Sequence, residues 1–421
     1  MSSPSDGRTE ILSVGDELLC GHTVDTNASW LAGRLLTLGV PVSHFQTVGD
    51  EMDDIVAAFR LALARAKIIV VTGGLGPTDD DLTMEALARS LDRPLIHHEE
   101  VMNQMATRLK RPKEQFTASN RKQAMLPEGA EVLRNDWGTA PGVHLSLPDG
   151  QDVYLMPGVP REMKGLFSTW IEPQLRARAQ QVVVYRYYHS FNLPESVVGD
   201  RIKGLMVPGQ NPDVGTKVGG GIVSVRVLAR GANAAEADEA LDSVDGQVRA
   251  ALGDHLFGLD DTTLAEATFH ALRERNLKLA LAESCTAGLL ASCLGAVPGV
   301  SACLIESAVT YANEAKIRSC GVREVTLQTH GAVSPETARE MAEGIRVRAG
   351  ADIAVSITGI AGPDGGTEEK PVGLVWFGLV MPHETRTEER RFLGYDRQTV
   401  RQRSANAALD MIRRAALTWK A

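Results

Sequence analysis

The sequence predicts an α/β fold class, with two α/β domains whose sheets are mostly parallel, joined by a small α+β middle module. At both ends of the chain, short apolar runs alternate with stretches of helical spacing, and glycine-rich loops follow several of the runs. Loops of that kind bind ligands at the carboxyl ends of strands in open α/β sheets. Between the two ends, the pattern becomes rich in β-strand residues. We therefore place domains at 1–172 and 260–421, with the middle module at 173–259.

The individual elements follow from the periodicity of the apolar residues. In the first domain, helical spacing over Trp30–Leu38 predicts a helix, and apolar runs predict strands at Glu10–Val14, Ile68–Val71 and Val153–Met156. In the middle module, Val182–Tyr188 and the alternating Val223, Val225 and Val227 predict strands, and Ala234–Leu252 predicts a helix. Thr263 and Glu266 have the spacing of a capping box, which predicts the first helix of the last domain.

Composition excludes several classes of protein. The chain has 421 residues, 43% of them hydrophobic, and a formal net charge of −9, which argues against a protein that coats nucleic acid. No apolar run is long enough to cross a bilayer, and the polar residues 1–7 do not resemble a signal peptide. Five cysteines without a C-x-x-C pair fit free thiols in a reducing compartment. We expect a cytoplasmic protein without membrane contact.

Ser284 is the first candidate catalytic residue. The strand-like run Leu277–Ala282 leads into Glu283-Ser-Cys-Thr-Ala-Gly288, and a helical pattern follows, so Ser284 is predicted at a strand-to-helix turn. Such a turn presents a hydroxyl at the edge of the sheet and aims backbone N–H groups at the atom it attacks. Helix caps are also commonly serines, and the turn alone favours that simpler interpretation.

A serine nucleophile needs a base, and Lys316 is the candidate. It lies in Thr310-Tyr-Ala-Asn-Glu-Ala-Lys316, again a strand end that leads into a helix. A lysine desolvated in a pocket loses proton affinity and can deprotonate a serine, and Tyr311 could relay the proton or orient the pair. Most lysines are solvated surface residues, and His330 remains open as an alternative base.

Two further segments complete the C-terminal pattern. Thr358-Gly-Ile-Ala-Gly-Pro-Asp-Gly-Gly366 offers a hydroxyl and a close backbone approach, and Lys370-Pro-Val-Gly373 follows it. Arg397 and Arg401 lie four residues apart on a predicted helix, a spacing that suits phosphate binding or simple solvation of the helix.

In order and spacing, the four segments that contain Ser284, Lys316, Thr358 and Lys370 resemble the CinA C-terminal domain over roughly residues 264–417. The resemblance implies hydrolysis of the carboxamide of nicotinamide mononucleotide, without a cofactor, to nicotinate mononucleotide and ammonia. It implies Ser284 as nucleophile, Lys316 as base, and Tyr311 and Thr358 as supporting groups. The chain departs from the family pattern at Ala287, where a glycine is usual, and at Glu306-Ser307. The substrate-binding residues implied by the resemblance are Gly288, Asn313, Gly359, Ala361, Gly362, Arg397 and Arg401.

Carboxylates cluster near glycine-rich loops in the first domain as well. Val14-Gly-Asp-Glu17 follows the first strand, Thr72-Gly-Gly-Leu-Gly-Pro-Thr-Asp-Asp-Asp81 a later one, and Met156-Pro-Gly-Val-Pro-Arg-Glu162 another. Glycine-loop amides with nearby carboxylates suit a phosphorylated ligand bridged by a hard divalent ion. Capping of the helix predicted near Leu82 would account for one or two of the aspartates.

Together with Asn135-Asp-Trp-Gly-Thr-Ala-Pro-Gly142, these motifs resemble the molybdopterin-binding-like domain in its CinA form, from about residue 8 to 170. The resemblance implies an ADP-ribose pyrophosphatase that yields AMP and ribose 5-phosphate with Mg²⁺, Mn²⁺ or Co²⁺, and leaves open K⁺ beside it. The implied metal ligands are Asp16, Asp80 and Asp81. The implied nucleotide-binding residues are Asn27, Gly73, Gly74, Gly76, Thr78 and Glu162.

Several functions remain open on the sequence alone. The first is a bifunctional enzyme of pyridine-nucleotide salvage whose partners are nicotinamide mononucleotide and ADP-ribose. In the second, only one domain is active and the other is a nucleotide sensor. A third is a non-enzymatic competence or DNA-damage accessory protein that binds a recombinase, although the acidic charge gives no support to direct nucleic-acid binding. A molybdopterin enzyme is a fourth. A homodimer is expected because most oligomers of this kind are symmetric.

Overall fold

The computed structural model describes residues 8–179 and 181–420. The N-terminal residues 1–7, on which the expected lack of a signal peptide rests, lie outside this range. The described residues form two compact units, one with the residues up to Tyr185 together with Ala229–Ala240, and one with Arg186–Leu228 together with the residues from Leu241 onward. No helix in these described ranges is long and apolar enough to span a membrane.

The first domain is built on a six-stranded sheet of order β2-β1-β3-β8-β7-β6. Strands β2, β1, β3 and β8 are parallel neighbours, and β7 and β6 continue the sheet antiparallel. A separate antiparallel pair joins β4 to β5. The strands are β1 (Thr9–Val14), β2 (Val42–Val48), β3 (Ile68–Thr72), β4 (Leu95–His97), β5 (Met125–Pro127), β6 (Glu131–Leu133), β7 (Gly142–Ser146) and β8 (Asp152–Met156). The helices are α1 (Asp16–Leu19), α2 (Thr26–Thr37), α3 (Met52–Arg65), α4 (Thr83–Ser90), α5 (Glu99–Leu109), α6 (Ala118–Lys122), α7 (Pro160–Leu166) and α8 (Glu172–Arg178), with a 3₁₀ turn at Lys113–Gln115 and a π turn at Phe167–Ile171.

Both faces of this sheet are covered, as the fully apolar strands require. Along β3, Ile69 and Val71 pack into one hydrophobic cluster and Val70 into another on the opposite face, because successive side chains of a strand alternate. The helices on the two sides leave one open edge, where the parallel strands end. The loops after these strands therefore form a single rim.

The middle module has a four-stranded sheet of order β10-β11-β9-β12. Its strands β10 and β11 pair antiparallel, as do β12 and β9. The module consists of β9 (Val182–Phe191), α9 (Glu195–Ile202), β10 (Asp213–Gly219), β11 (Ile222–Gly231), α10 (Ala234–Leu252), a 3₁₀ turn (Gly253–His255) and β12 (Leu256–Leu259).

The last domain has a five-stranded sheet of order β14-β13-β15-β16-β17. Strands β14, β13 and β15 run parallel, and β16 and β17 are antiparallel additions. The strands are β13 (Leu279–Glu283), β14 (Leu304–Val309), β15 (Ile353–Gly359), β16 (Leu374–Met381) and β17 (Glu384–Arg391). The helices are α11 (Leu264–Glu274), α12 (Leu289–Gly295), α13 (Asn313–Cys320), α14 (Glu324–His330), α15 (Pro335–Ala349) and α16 (Arg397–Leu417), with a 3₁₀ turn at Val300–Ala302. The predicted fold class is confirmed, and so is the capping box of Thr263 and Glu266 at the start of α11.

The two faces of the C-terminal sheet differ in side-chain size. On β13, Leu279 and Leu281 face the larger cluster, whereas Ala280 and Ala282 face the side covered by α15. Small side chains let a helix approach a sheet closely. A glycine extends this close packing, since a Cβ on Gly344 of α15 would lie 1.6 Å from the Cys320 carbonyl oxygen of α13. Helix α13, which carries Lys316, is therefore seated directly on α15.

Candidate active sites

The three C-terminal motifs converge because they follow adjacent parallel strands. In the sheet register, Glu283 at the end of β13 lies opposite Val309 of β14 and Ile357 of β15. The residues just beyond, Ser284 and Thr310, therefore share one rim of the sheet. The sequence separates these motifs by tens of residues, and the order of the strands brings them together.

Ser284 and Lys316 form a buried pair. Lys316 Nζ lies 3.1 Å from Ser284 Oγ, and the two residues are 1% and 8% exposed. The alternative interpretations of a solvated lysine and a simple capping serine do not fit this placement, since α12 begins at Leu289 and Gly288 is its N-cap. Hydrogen-bond contact between a hydroxyl and a buried amine is the arrangement that serine activation by a lysine requires.

Two backbone carbonyls fix the Lys316 amine. Nζ donates to the carbonyl oxygens of Thr310 at 2.9 Å and Tyr311 at 3.3 Å. Burial lowers the pKa of Lys316, because the charged form loses its hydration. A neutral amine has two N–H donors and one lone pair. When the amine is neutral, both donors can be directed at the two carbonyls, which leaves the lone pair for the proton of Ser284.

The neighbouring thiol is a poor nucleophile. Burial raises the pKa of Cys285 to about 12, and its side chain is 5% exposed. Thiol reactivity depends on the thiolate, which is scarce under such conditions. Of these two adjacent residues, Ser284 is the one shown within hydrogen-bond distance of the Lys316 amine.

Glu283 anchors the turn that carries the nucleophile, a role that the sequence motif alone did not reveal. Its fully buried carboxylate accepts hydrogen bonds from the backbone N–H groups of Leu290 at 3.1 Å and Ala291 at 2.8 Å. An anion at the N-terminus of a helix satisfies amides that otherwise lack partners. The contact ties the end of β13 to the first turn of α12 and fixes the intervening turn.

The turn itself leaves backbone donors available. The N–H group of Ser284 donates to the carbonyl oxygen of Ile357, and the N–H group of Ala287 donates to the carbonyl oxygen of Ser284. Among the described residues, the N–H groups of Cys285, Thr286 and Gly288 donate to no backbone carbonyl. Oriented amides beside a nucleophile can hold a tetrahedral oxyanion. Ala287 has a φ of +51°, a left-handed conformation in which glycine is unstrained, so the departure from the family pattern falls at a strained position.

The two predicted phosphate-binding arginines meet this turn and its neighbours. Arg401 donates to the Thr286 carbonyl at 2.9 Å, and Arg397 donates to the Gly362 carbonyl at 2.6 Å and to the Tyr311 hydroxyl at 2.7 Å. The hydroxyl of Tyr311 is thus held by Arg397, and the contact of Tyr311 with Lys316 is through its backbone carbonyl. The two guanidinium groups therefore place positive charge beside the rim.

The remaining predicted residues frame the same rim. Thr358 is buried, and its hydroxyl donates to the Ala332 carbonyl at 2.6 Å, whereas Asn313 is exposed in the first turn of α13. Gly359 and Ala361 lie where β15 enters its loop, and Gly362 follows with a φ of +82°. His330, the alternative base, lies with Nδ1 3.6 Å from a carboxylate oxygen of Glu336 and is 43% exposed on its side chain.

A second candidate site occupies the rim of the N-terminal sheet. A cavity of about 540 Å³ is bordered by the loops that follow β1, β2, β3 and β8. A glycine is required at position 73, whose φ is +104° and whose Cβ would lie 2.0 Å from the Val14 carbonyl oxygen. The lining includes Gly73, Gly74, Gly76, Asp80, Asp81 and Glu162 from the prediction, together with Glu17, Asp50 and Gln123.

Asp50 is the residue that the sequence reasoning missed. The signal was a repeat, since Val14-Gly-Asp-Glu17 at the end of β1 recurs as Val48-Gly-Asp-Glu51 at the end of the adjacent β2. Asp16 N–H donates to the Asp50 carboxylate at 3.0 Å, and Asp50 N–H donates to the Asp16 carboxylate at 3.1 Å. Burial raises the pKa of Asp50, and the charges of Asp16, Asp80 and Glu17 add to the effect.

Of the three predicted metal ligands, Asp80 and Asp81 line the cavity, whereas Asp16 is not among its described lining residues. Asp81 accepts hydrogen bonds from the backbone N–H and the hydroxyl of Thr78, and Lys122 donates to the Thr78 carbonyl. A hydrogen bond from Thr78 lowers the pKa of Asp80. No group of three His, Cys, Asp or Glu side chains in residues 8–179 and 181–420 could hold a metal ion alone. Mg²⁺ commonly takes one or two carboxylates with water and substrate phosphate, and the Asp16–Asp50 pair fits that donor set.

Asn27 and Glu162 fix the loops on the other side of this cavity. The Asn27 amide donates to the Gly158 carbonyl at 2.7 Å, and its Oδ1 is a buried acceptor with no partner among the described residues. Glu162 accepts from the Asn135 side chain at 2.7 Å. The carboxylate also crowds Gly138, whose Cβ would lie 1.6 Å from Oε2. The loop that contains Asn135 and Gly138 therefore contacts Glu162 and fixes the position of its carboxylate.

Comparison with known proteins matches each of the three parts. Residues 10–177 match the family described as "Probable molybdopterin binding domain", 185–258 the "Damage-inducible protein CinA KH domain", and 261–416 the "CinA C-terminal domain". A CinA-like protein of Kosmotoga olearia is 42% identical over 410 residues, covering 97% of this chain and 99% of that protein. One from Gloeobacter violaceus is 42% identical over 417 residues, covering 98% and 97%. The crystal structure of the competence/damage inducible protein CihA from Agrobacterium tumefaciens is 41% identical, covers 35% of this chain and 90% of that chain, and superimposes with a TM-score of 0.35.

The Glu283 contact predicts a measurable loss of stability. Glu283→Ala removes the acceptor of two buried amide hydrogen bonds and should lower the unfolding free energy of the C-terminal domain by about 2 kcal/mol or more. Glu283→Gln keeps one acceptor oxygen and should lose less. Urea unfolding measures both, with Glu314→Gln, an exposed acid in the first turn of α13, as the control. Equal midpoints for Glu283→Ala and the control would contradict the role given to Glu283.

The lowered pKa of Lys316 predicts a pH dependence of stability. Between the pKa of Lys316 in the folded state and the usual lysine pKa of 10.5, the unfolded state binds more protons than the folded state, so stability should rise with pH. Relative to Lys316→Met, the wild type should gain about 1.4 kcal/mol for each unit of pKa depression as pH is raised through that window. Urea midpoints from pH 7 to 10 measure the difference. A constant gap between the two proteins would mean that Lys316 is charged in the folded state.

Proposed function

The chain belongs to the CinA family, and we propose that its C-terminal domain is an amidase that converts nicotinamide mononucleotide to nicotinate mononucleotide and ammonia. The observation that carries the proposal is the 3.1 Å contact between Ser284 Oγ and the buried Lys316 Nζ. The family resemblance supplies the substrate, and the buried pair supports acyl transfer by a serine and a neutral lysine.

In the first half of the proposed reaction, Lys316 accepts the proton of Ser284 while Oγ bonds to the carboxamide carbon. The carbonyl oxygen becomes an oxyanion, which the N–H groups of Cys285 and Thr286, the two residues that follow Ser284 in the turn, would stabilise. Collapse of this intermediate breaks the C–N bond. The Lys316 ammonium returns the proton to the departing nitrogen, which leaves as ammonia, and an ester on Ser284 remains.

The second half repeats the proton transfer with water. Lys316, neutral again, takes a proton from a water molecule that attacks the ester carbon. The C–O bond to Ser284 breaks, and the proton on Lys316 passes to Oγ. The carbonyls of Thr310 and Tyr311 hold Nζ throughout, so the same lone pair serves as base in both halves.

The arginines suit the phosphate of a mononucleotide. Arg397 and Arg401 lie one turn apart on α16 and bracket the rim through the carbonyls of Gly362 and Thr286. Each of these bonds uses part of a guanidinium that has five N–H donors, which leaves others for phosphate oxygens. This supports phosphate binding by both arginines over simple solvation of the helix.

Incubation of the full chain with nicotinamide mononucleotide should release ammonia. Ser284→Ala and Lys316→Arg should each abolish release, the latter because a guanidinium cannot act as a base near neutral pH. A coupled ammonia assay measures the rate, and circular dichroism checks that each variant folds. Cys285→Ala is the matched control, since it changes the adjacent side chain and should retain activity. Turnover in Lys316→Arg at the wild-type rate would rule out the pair.

For the N-terminal domain we propose a metal-dependent ADP-ribose pyrophosphatase that releases AMP and ribose 5-phosphate. The specific observation in its favour is the cavity lined by the glycine-rich loop and by Asp50, whose backbone N–H is held by the Asp16 carboxylate. A divalent ion bound there with the diphosphate supplies charge neutralisation and a more acidic bound water. Asp16 and Asp50 would hold it, while Asn27, with its unused Oδ1, and Glu162 would position the nucleotide.

With Mg²⁺, Mn²⁺ or Co²⁺, the full chain should release AMP from ADP-ribose. Asp50→Asn should cut the rate at least tenfold and weaken Mn²⁺ binding in a calorimetric titration, because it removes one carboxylate but keeps an oxygen for the Asp16 amide. Glu51→Gln changes the next acid along the chain, which does not line the cavity, and is the control. If no AMP is released with any of the three ions, the pyrophosphatase proposal is wrong, and a nucleotide-binding role remains for this domain.

A further inference from the structure

A cavity of about 810 Å³ separates the sheet of the middle module from two helices of the C-terminal domain, within one compact unit. Tyr187, His189 and Phe257 line it on the module side. Cys293 of α12 and Gln402 of α16 line it on the domain side. None of the residues proposed above for the amidase is among its described lining residues, so it is a separate feature.

Three aromatic rings form a row along the module wall. Tyr187 and His189 are two residues apart on β9, so they share a face, and their rings lie 6.1 Å apart with planes 3° from parallel. The ring of Phe257, on the adjacent β12, lies 5.9 Å from His189 at 22°. All three side chains are half-buried. All three rings line the same wall of the cavity.

The central ring is fixed in orientation. His189 Nε2 faces the carbonyl oxygen of Asp260, which only accepts, so this nitrogen carries a proton. His189 Nδ1 lies 2.7 Å from the Ser224 hydroxyl, which can donate to it. A ring with a partner at each nitrogen is held in place before any ligand arrives, which reduces the entropic cost of stacking on it.

The rest of the lining indicates the class of ligand. The described lining residues include one lysine, Lys217, and no arginine, whereas Asp261 and Gln402 offer partners for hydroxyl groups. Aromatic side chains stack on the faces of planar bases. A polyphosphate is disfavoured, because the lining offers few positive charges to bind it. We propose that this cavity binds a nucleoside or nucleoside monophosphate through its base, and that its occupancy regulates the amidase site.

The coupling runs through the two helices that form the far wall. Helix α12 places Cys293 at the cavity and, one turn earlier, binds the Glu283 carboxylate through its amides. Helix α16 places Gln402, Asn406 and Leu409 at the cavity, and the preceding residue, Arg401, holds the Thr286 carbonyl. Asn406 also donates to the Gly220 carbonyl of the module at 2.9 Å. A ligand that moves either helix therefore moves the turn that carries Ser284.

Binding is tested with 2-aminopurine riboside, a nucleoside whose fluorescence is quenched by stacking. The full chain should quench it saturably, and Phe257→Leu should weaken binding about tenfold because it removes one stacking ring. Phe45→Leu, the same substitution at an exposed position in the first domain, should leave affinity unchanged. No saturable quenching, or equal affinity in wild type and Phe257→Leu, would overturn the site.

Regulation is tested on the same proteins by hydrogen exchange. The nucleoside should change amide exchange in residues 284–295 and 397–409 of the wild type and should change kcat/KM for nicotinamide mononucleotide at least twofold, with neither effect in Phe257→Leu at the same concentration. Binding without any change in exchange would overturn the regulation. This part rests on the proposed amidase. Absence of ammonia release with intact binding and altered exchange would instead count against the amidase alone.

Discussion

The C-terminal site depends on keeping one lysine amine out of water. Burial favours the neutral form of Lys316, and the carbonyls of Thr310 and Tyr311 occupy the two N–H groups that the neutral amine retains. Neither effect alone produces a base directed at Ser284. A buried amine without the two carbonyl acceptors could rotate, so its lone pair would have no fixed direction. A hydrated amine beside the same carbonyls would remain protonated as an ammonium group.

The surrounding architecture serves this arrangement. Ser284 follows β13, the middle one of the three parallel strands, and Lys316 follows the neighbouring β14, so the register of these two strands sets their separation. The Glu283 carboxylate fixes one end of the nucleophile turn, and Arg401 holds a carbonyl within it. The N-terminal domain uses the same sheet geometry differently, since its two adjacent strand ends carry aspartates that hold each other's backbone.

Much of this was predictable from the sequence, within clear limits. Apolar periodicity placed the strands, and the motifs around Ser284 and Lys316 identified a pair that the structure brings into contact. Contacts made by backbone atoms were not predictable, because any residue type can supply a carbonyl. The hydroxyl of Tyr311 is held by Arg397, a pairing between distant segments that no local spacing indicates. Asp50 could have been found, since Val-Gly-Asp-Glu occurs twice, but its meaning depends on β1 and β2 being neighbours.

The absence of a side chain at Gly344 affects the distance over which Lys316 must extend to contact Ser284. The backbone of α13 rests on α15 at a point where even a methyl group would collide with the Cys320 carbonyl. Lys316 lies one turn before Cys320 on the same helix. The spacing between these two helices thus sets how far the Lys316 amine reaches toward Ser284. Residues that never meet a ligand can in this way determine whether the chemistry is geometrically possible.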